Sequence, residues 1–257
     1  MDEAASPRGA CKGGTTKTSR AFPGHGPIDM WESGITLGLG TGSRPRNAFD
    51  PLRAPPSNRA RCARSPGCPP PSKTRPHPAR FGIPMLALAD AAEIHLSIDG
   101  ADEVDPDLNL VKGRGGSLLR EKMIEGAGAR FVVIVDESKL VPRLGCTGSV
   151  PVEVVPFGSA YTLGLIRMVF DKLPGFHARL RTVKSKAGDG QEELFLTDNG
   201  NHIVEMFFED GIHGNLRDIS DSLLRITGVV EHGMFLGMAT KVILPHQDGT
   251  VAVLSKK

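Results

Sequence analysis

Aromatic side chains are scarce in this 257-residue chain: one Trp, one Tyr and eleven Phe. There is no apolar run of about 18 residues, so no transmembrane helix and no membrane partner are expected. Cysteine is thin as well. Cys11, Cys62, Cys68 and Cys146 show no CxxC spacing, so the pattern points to a reduced, intracellular protein and away from a disulfide scaffold. An excess of one charge is also missing, since the net charge is +2. That balance hides an asymmetry. Residues Ser43 to Arg80 hold eight Arg, one Lys and one Asp, a local +8 that leaves −6 elsewhere. With Phe49 as its single aromatic, this basic stretch lacks the stacking platform of a nucleic-acid groove, and no nucleic-acid partner is expected.

What is present suffices for one large or two modest cores, at 39% hydrophobic content. The first thirty residues are polar, have no periodic apolar face and read as disordered. Their basic, Ser/Thr-containing run Lys12 to Arg20 fits a plastid transit peptide, while Asp2-Glu3 counts against one and leaves a cytoplasmic location open. From Gly34, GITLGLGTGS is an apolar strand entering a Gly-rich turn, a weak phosphate-loop signal on its own. Arg44 to Arg80 then holds ten of the twenty prolines. Proline at that density argues against helix and central strand, so this stretch reads as a low-complexity insert.

Order resumes at Phe81. Glu93–Ile98 reads as a buried strand, and Ser117 to Ala129 as a helix capped by Ser117, with Leu119, Met123 and Ala127 inward. Arg130 to Asp136 is a β-branched run typical of a parallel strand buried on both faces. Strand, helix and strand make a βαβ unit. Further on, PVEVVPFG (Pro151–Gly158) reads as an alternating strand and Ala160–Leu173 as a helix with Leu165, Met168 and Val169 inward. Three strands and a helix at Asn215–Ile226 follow. The expected architecture is α/β: a Rossmann-like main domain (31–150 plus 228–257) and a smaller α+β domain (151–227).

The densest chemistry lies in IDGADEVDPDLNLVKGRGGSLLREK, from Ile98 to Lys122. Asp99 and Asp102 sit at a strand's C-terminal end, where ligands bind in open α/β sheets. An EF-hand starting at Asp99 fails, because Ala101, Val104 and Leu110 occupy its third, sixth and twelfth positions. A looser Mg²⁺ site stays open on spacing alone, as does a plain turn of acids at Asp105-Pro106-Asp107. Lys112 is a point charge suited to a developing oxyanion, and the glycines after it let backbone N–H groups approach a ligand. Glu121 lies one position past the capping-box place, so capping does not explain it; a general base does. Lys139 follows the strand ending at Asp136 and is placed to meet a phosphate. In isolation each of these side chains also fits a plain surface role.

Taken together, the strings GLGTGS (Gly38–Ser43), Asp99–Glu125, VDESKLV (Val135–Val141), PVEVVPFG, TDNGN (Thr197–Asn201) and GVVEHGMF (Gly228–Phe235) resemble type A ribose-5-phosphate isomerases, the plant-like members above all. The resemblance implies interconversion of ribose 5-phosphate and ribulose 5-phosphate with no metal and no cofactor, on a phosphosugar substrate, by a homo-oligomer (dimer or tetramer). It implies that Glu121 is the proton acceptor, that Asp99 and Asp102 handle ring opening and the sugar hydroxyls, and that Lys112 stands beside the reacting oxygens. It also implies substrate binding by Thr41, Gly42, Ser43, Gly100, Ala101, Gly113, Arg114, Gly115 and Lys139. Partial desolvation of Glu121 is expected to raise its pKa. The chain departs from the family after Ser43, where Arg44-Pro45 and the proline-rich stretch stand in place of a helix and strand. Foreign composition between intact motifs is what an abnormal splice or shifted reading frame would leave. A sugar-phosphate-binding module without turnover, or an inactive product, is the alternative at this point.

Overall fold

The computed structural model describes residues 36–39, 61–63, 85–185, 190–246, 248 and 250–256, with 61–63 and 85 placed as backbone. The short β-branched runs between helices assemble into a seven-stranded sheet. Its strands are β1 (Thr36–Leu39), β2 (Arg61–Ala63), β3 (Met85–Leu86), β4 (Leu96–Asp99), β7 (Phe131–Ile134), β15 (Lys241–Pro245) and β16 (Val251–Ser255), in the order β16-β15-β7-β4-β1-β2-β3. All neighbours are parallel except the edge strand β16, which runs antiparallel to β15. Strands β1, β4 and β7 are buried along their whole length, as a parallel sheet covered on both faces requires. Of the C-terminal apolar segments, Lys241–Pro245 and Val251–Ser255 join this sheet, β15 beside β7, whereas Val229–His232 pairs with Val150–Val154 in a second sheet.

Between β4 and β7 the chain makes a ribbon, β5 (Glu103–Val104) and β6 (Leu110–Val111), joined later by β14 (Met234–Phe235). Helix α1 (Leu118–Gly126) follows. The ribbon's turn is built by Asp105, whose Oδ1 accepts from the Asp107 and Asn109 amides at 2.9 and 2.8 Å and whose Oδ2 accepts from Asn109 Nδ2 at 3.0 Å. Those acids are therefore a turn device, although Asp105 is buried rather than solvated.

A second, four-stranded sheet has the order β13-β8-β12-β9, with β8 (Val150–Val154), β9 (His177–Leu180), β12 (His202–Phe207) and β13 (Val229–His232). The two-stranded β10 (Thr182–Lys184) and β11 (Glu192–Leu194) stand apart from it. Helices α2 (Ser159–Phe170) and α3 (Leu216–Leu224) supply Leu163, Ile166, Phe170, Ile219 and Leu223 to its core. The molecule is thus α/β, a parallel Rossmann-like sheet with a smaller α+β unit.

Five local expectations are corrected. Arg61–Ala63 forms a strand between β1 and β3, although proline density argued against one there. The physical reason is that Ser57 to Ser65 contains no proline, so its amides are free to donate to the ladder. The rest of 44–80 and the first thirty residues lie outside the described residues. Strand β8 is buried on both faces rather than alternating. In α2 the inward residues are Thr162, Leu163, Ile166 and Phe170, while Met168 and Val169 are exposed and Leu165 is half-buried. In α1 the inward residues are Leu118, Glu121, Ile124 and Glu125, with Met123 and Ala127 exposed. Ser117 precedes α1 but makes no side-chain cap; its hydroxyl instead donates to Asp198 Oδ2 at 3.4 Å.

Candidate active site

Strand β4 delivers Asp99 as its last residue, paired with Val133 of β7 at the sheet's C-terminal edge. Lys112 follows β6 directly, and its amide donates to the Gly233 carbonyl at 2.8 Å. Helix α1 presents Glu121 and Glu125, four residues apart and so on one face. The three elements converge on one ammonium. Lys112 Nζ lies 2.5 Å from Asp99 Oδ2, 2.7 Å from the Gly100 carbonyl, 3.3 Å from Glu121 Oε2 and 3.3 Å from Glu125 Oε1. All four side chains are withdrawn from water, with Asp99 1%, Glu125 2%, Lys112 3% and Glu121 8% exposed. Phe235 covers the lysine from the ribbon side, 5.5 Å from its ring centroid.

The electrostatics follow from that crowding. Burial alone would lower the Lys112 pKa, but Asp99, Glu121 and Glu125 outweigh it and hold the ammonium well above the usual lysine value. Burial pushes the Glu125 carboxyl up; the Lys112 charge opposes this, the Asp99 and Glu121 charges reinforce it, and the result lies well above the ordinary range. Carboxylate oxygens of Asp99, Glu121 and Glu125 approach within 4.8 Å of one another, close enough to hold a cation. The Lys112 ammonium already occupies that position, so the charge a divalent ion would supply comes from the chain itself.

The glycine loop shapes the entrance. Gly113 and Gly116 have φ of +90° and +100°, and a Cβ at either would meet Leu118 or Phe195 at 2.4 Å. A Cβ at Gly115 would meet nothing, so that backbone is open to a ligand. Arg114 is divided. Its amide donates to Asp102 Oδ2 at 3.0 Å, whereas its guanidinium is bound to Glu103, Thr147 and the Ser149 carbonyl. Gly100 and Ala101 connect Asp99 to Asp102, with the Gly100 amide donating to Asp99 Oδ1 at 2.7 Å.

Of the phosphate-side residues, Thr41, Gly42 and Ser43 lie outside the described residues. Leu39, the last residue of β1, pairs with Ile98, so β1 leaves the sheet at the edge where Asp99 stands. A Cβ at Gly38 would strike Ser97 Oγ at 2.5 Å and Ile124 at 2.8 Å, so this glycine serves the close packing of β1 against β4 and α1. Lys139 ends a 3-10 turn (Glu137–Lys139) just past β7, and among the described residues its ammonium makes no ion pair.

Glu125 is the site residue that sequence reasoning missed. The signal was its spacing from Glu121, which places both carboxylates on the same helical face. The Thr197–Asn201 loop meets the start of α1. Arg120 donates to the Asp198 carbonyl and to Asn199 Oδ1, at 2.9 and 2.7 Å, tying the smaller unit to the start of α1.

Comparison with known proteins bears on this arrangement. The family model for ribose 5-phosphate isomerase A (phosphoriboisomerase A) matches residues 67–249. The chain is 48% identical over 224 residues to the probable ribose-5-phosphate isomerase 2 of Arabidopsis thaliana, covering 86% of this chain and 81% of that one. It is 37% identical over 233 residues to ribose-5-phosphate isomerase A of Bradyrhizobium diazoefficiens, covering 90% and 92%. Among solved structures it resembles ribose 5-phosphate isomerase from Plasmodium falciparum, with a TM-score of 0.73, 34% identity and coverage of 90% and 94%. It also resembles a D-ribose-5-phosphate isomerase in complex with phospho-erythronic acid, with a TM-score of 0.74, 32% identity and coverage of 89% and 93%.

Proposed function

The chain belongs to the ribose 5-phosphate isomerase A family, and from that premise we propose that its buried carboxylate–lysine site isomerises D-ribose 5-phosphate and D-ribulose 5-phosphate. The observation that carries the assignment of roles is the pair Glu121–Lys112, a candidate base and a cation 3.3 Å apart in a site closed to water. An aldose–ketose isomerase needs those two groups against adjacent carbons of one substrate.

The chemistry follows from their positions. Asp99 and Asp102 at the end of β4 face the sugar hydroxyls and assist ring opening to the aldehyde. Glu121 takes the proton from C2, and the C2–H electrons form the C1–C2 double bond of an enediolate. The negative charge that develops on O1 is stabilised by Lys112 and by loop N–H groups around Gly115. The proton on the O2 hydroxyl passes to O1, Glu121 returns its proton to C1, and C2 becomes the carbonyl carbon. Gly113, Arg114 and Gly115 border the sugar. Thr41, Gly42, Ser43 and Lys139 take the phosphate. The phospho-erythronic acid held by a related structure, a four-carbon acid one carbon shorter than ribose, supports a phosphorylated, open-chain polyol ligand.

Turnover of ribose 5-phosphate by the purified chain tests the reading, with Glu121→Gln expected to lose it by about 10²–10⁴-fold. Ligand binding without any turnover in the wild type would favour the non-catalytic alternative, which neither Glu121 nor Lys112 supports. A homo-oligomer belongs to the same proposal. Tyr161 and Met168, one heptad apart on α2, are exposed together with Phe157, an apolar face of the kind that self-associates. Light scattering of the wild type and of a Tyr161→Glu, Met168→Glu variant would test it. A fluorescent fusion of the intact chain would decide between cytoplasm and plastid, the address proposed for the N-terminal segment.

A further inference from the structure

Glu125 is the buried group that the mechanism above leaves unused. It lies one turn beyond Glu121 on the same face of α1, and 3.3 Å from the ammonium that Glu121 also faces. The charged groups around it come from every element packed against it. They are Asp99 from β4, Lys112 from the ribbon, Glu121 from its own helix, and Lys122, whose ammonium is engaged by Glu231 at 2.8 Å and by the carbonyls of His232 and Met234. Three carboxylates within 4.8 Å of one another share a single lysine. If all three were ionised, the site would carry an unmatched double negative charge in a place closed to water, a cost of several kcal/mol. One of them therefore holds a proton.

The hydrogen bonds identify which. Both oxygens of Asp99 already accept from donors, Oδ2 from Lys112 Nζ at 2.5 Å and Oδ1 from the Gly100 amide at 2.7 Å. Glu121 is the more exposed of the two glutamates. Neither carboxyl oxygen of Glu125 makes a hydrogen bond among the described residues, and the one group beside it that favours ionisation, the Lys112 ammonium at 3.3 Å, is shared with Asp99 and Glu121. The raised proton affinity of Glu125, described above, agrees with this.

We propose that Glu125 is a positioning residue: a neutral carboxylic acid beneath the site that keeps Lys112 in place and keeps Glu121 the ionised member of the pair. The idea rests on the isomerase reading and deepens it. A neutral Glu125 adds no charge beside Glu121, so the base is available at neutral pH and the Lys112 cation is left for the developing oxyanion. Ionising Glu125 at alkaline pH would bind Lys112 more tightly and draw it from that task.

Three measurements on the full chain test the proposal. The infrared spectrum of the wild type at neutral pH should show the C=O stretch of a protonated carboxylic acid, lost in Glu125→Gln. Glu125→Ala should lower kcat about tenfold or more with KM little changed, and Glu125→Gln should recover most of that loss, because it keeps both volume and neutrality. The alkaline limb of the wild-type pH profile should weaken in Glu125→Gln. Absence of the infrared band, or a Glu125→Gln enzyme as impaired as Glu125→Ala, would overturn the proposal by showing that a charge is required. If Glu125→Ala does not fold, the spectrum and the Gln variant still decide. Absence of turnover in the wild type would instead defeat the underlying isomerase reading, and retained turnover in Glu121→Gln would defeat only the role of Glu121 as base, so the failures are distinguishable.

Discussion

Glu103 and Glu153 contrast with the Asp99–Lys112–Glu121–Glu125 cluster, though all of these carboxyls are buried. Glu103 accepts from the Arg114 guanidinium, the Thr147 amide and hydroxyl and the Gly145 amide. Glu153 Oε1 accepts from Thr197 Oγ1, Asn199 Nδ2 and Asn201 Nδ2, each at 2.9 Å. Both bind segments distant in sequence, and their donors hold them in place as acceptors. The carboxyls around Lys112 share one cation among three and leave Glu125 without a hydrogen bond. Glu103 takes donors on both oxygens and Glu153 three on Oε1, though its Oε2 has none among the described residues; donors drawn from distant segments mark a carboxylate that supports the fold, whereas the carboxyls around Lys112 compete for one cation.

If that contrast is right, substitutions in the two regions should change different observables. The largest effect belongs to Glu121→Gln, a loss of about 10²–10⁴ in kcat with a thermal midpoint close to wild type; a large drop in midpoint would blur the distinction. Glu103→Ala should show the converse. It strips four donors of their acceptor, including the Arg114 guanidinium, and should cost about 3 kcal/mol of stability, read from chemical denaturation. Its kcat should fall less than that of Glu121→Gln.

His232 sharpens the comparison through pH. Its imidazole is buried, and burial, with the Lys122 charge, pushes its pKa down to about 3. Nδ1 accepts from the Met234 amide at 3.2 Å, and Nε2 pairs with Ser220 Oγ at 2.8 Å. The folded pKa lies below the unfolded one, so the unfolded chain takes up a proton that the native ring refuses. The associated stability is complete above about pH 6.5 and is lost as pH falls toward 3. Between pH 6.5 and 5 the loss is roughly 2 kcal/mol. Denaturation at the two pH values should show this slope in the wild type and a smaller one in His232→Gln. The smallest effect is expected from Asn199→Ala, about 1 kcal/mol, because Glu153 Oε1 retains two other donors.

Much of the catalytic segment was legible, because short-range chemistry dictates it. A strand ending in Asp99, a lysine before glycines and a helix carrying Glu121 are all local statements. The inward face of α1 was not. Apolar periodicity selected Leu119, Met123 and Ala127, whereas the helix turns Glu121 and Glu125 inward beside Leu118 and Ile124, since the ammonium they face comes from Lys112 in the preceding ribbon. Periodicity assumes that water is the only destination for charge, and it fails where a buried lysine is another. The exposed side of α2 was misread for a related reason: Met168 and Val169 look like core residues in a chain read alone. Strand β2 was hidden because proline density describes 44–80 as a whole and not the proline-free stretch inside it. The double duty of Arg114 was also out of reach, since Glu103 and Thr147 meet it only in the folded chain.

The central claim, that Glu121 moves the proton while Lys112 stands beside it as the cation, is tested most directly in deuterated water. Ribose 5-phosphate is incubated with the wild type and with Glu121→Gln, and deuterium at C1 of the ketose and C2 of the aldose is followed by NMR. The account predicts solvent deuterium in both sugars with the wild type and none above background with Glu121→Gln. Incorporation by Glu121→Gln at the wild-type rate would contradict it.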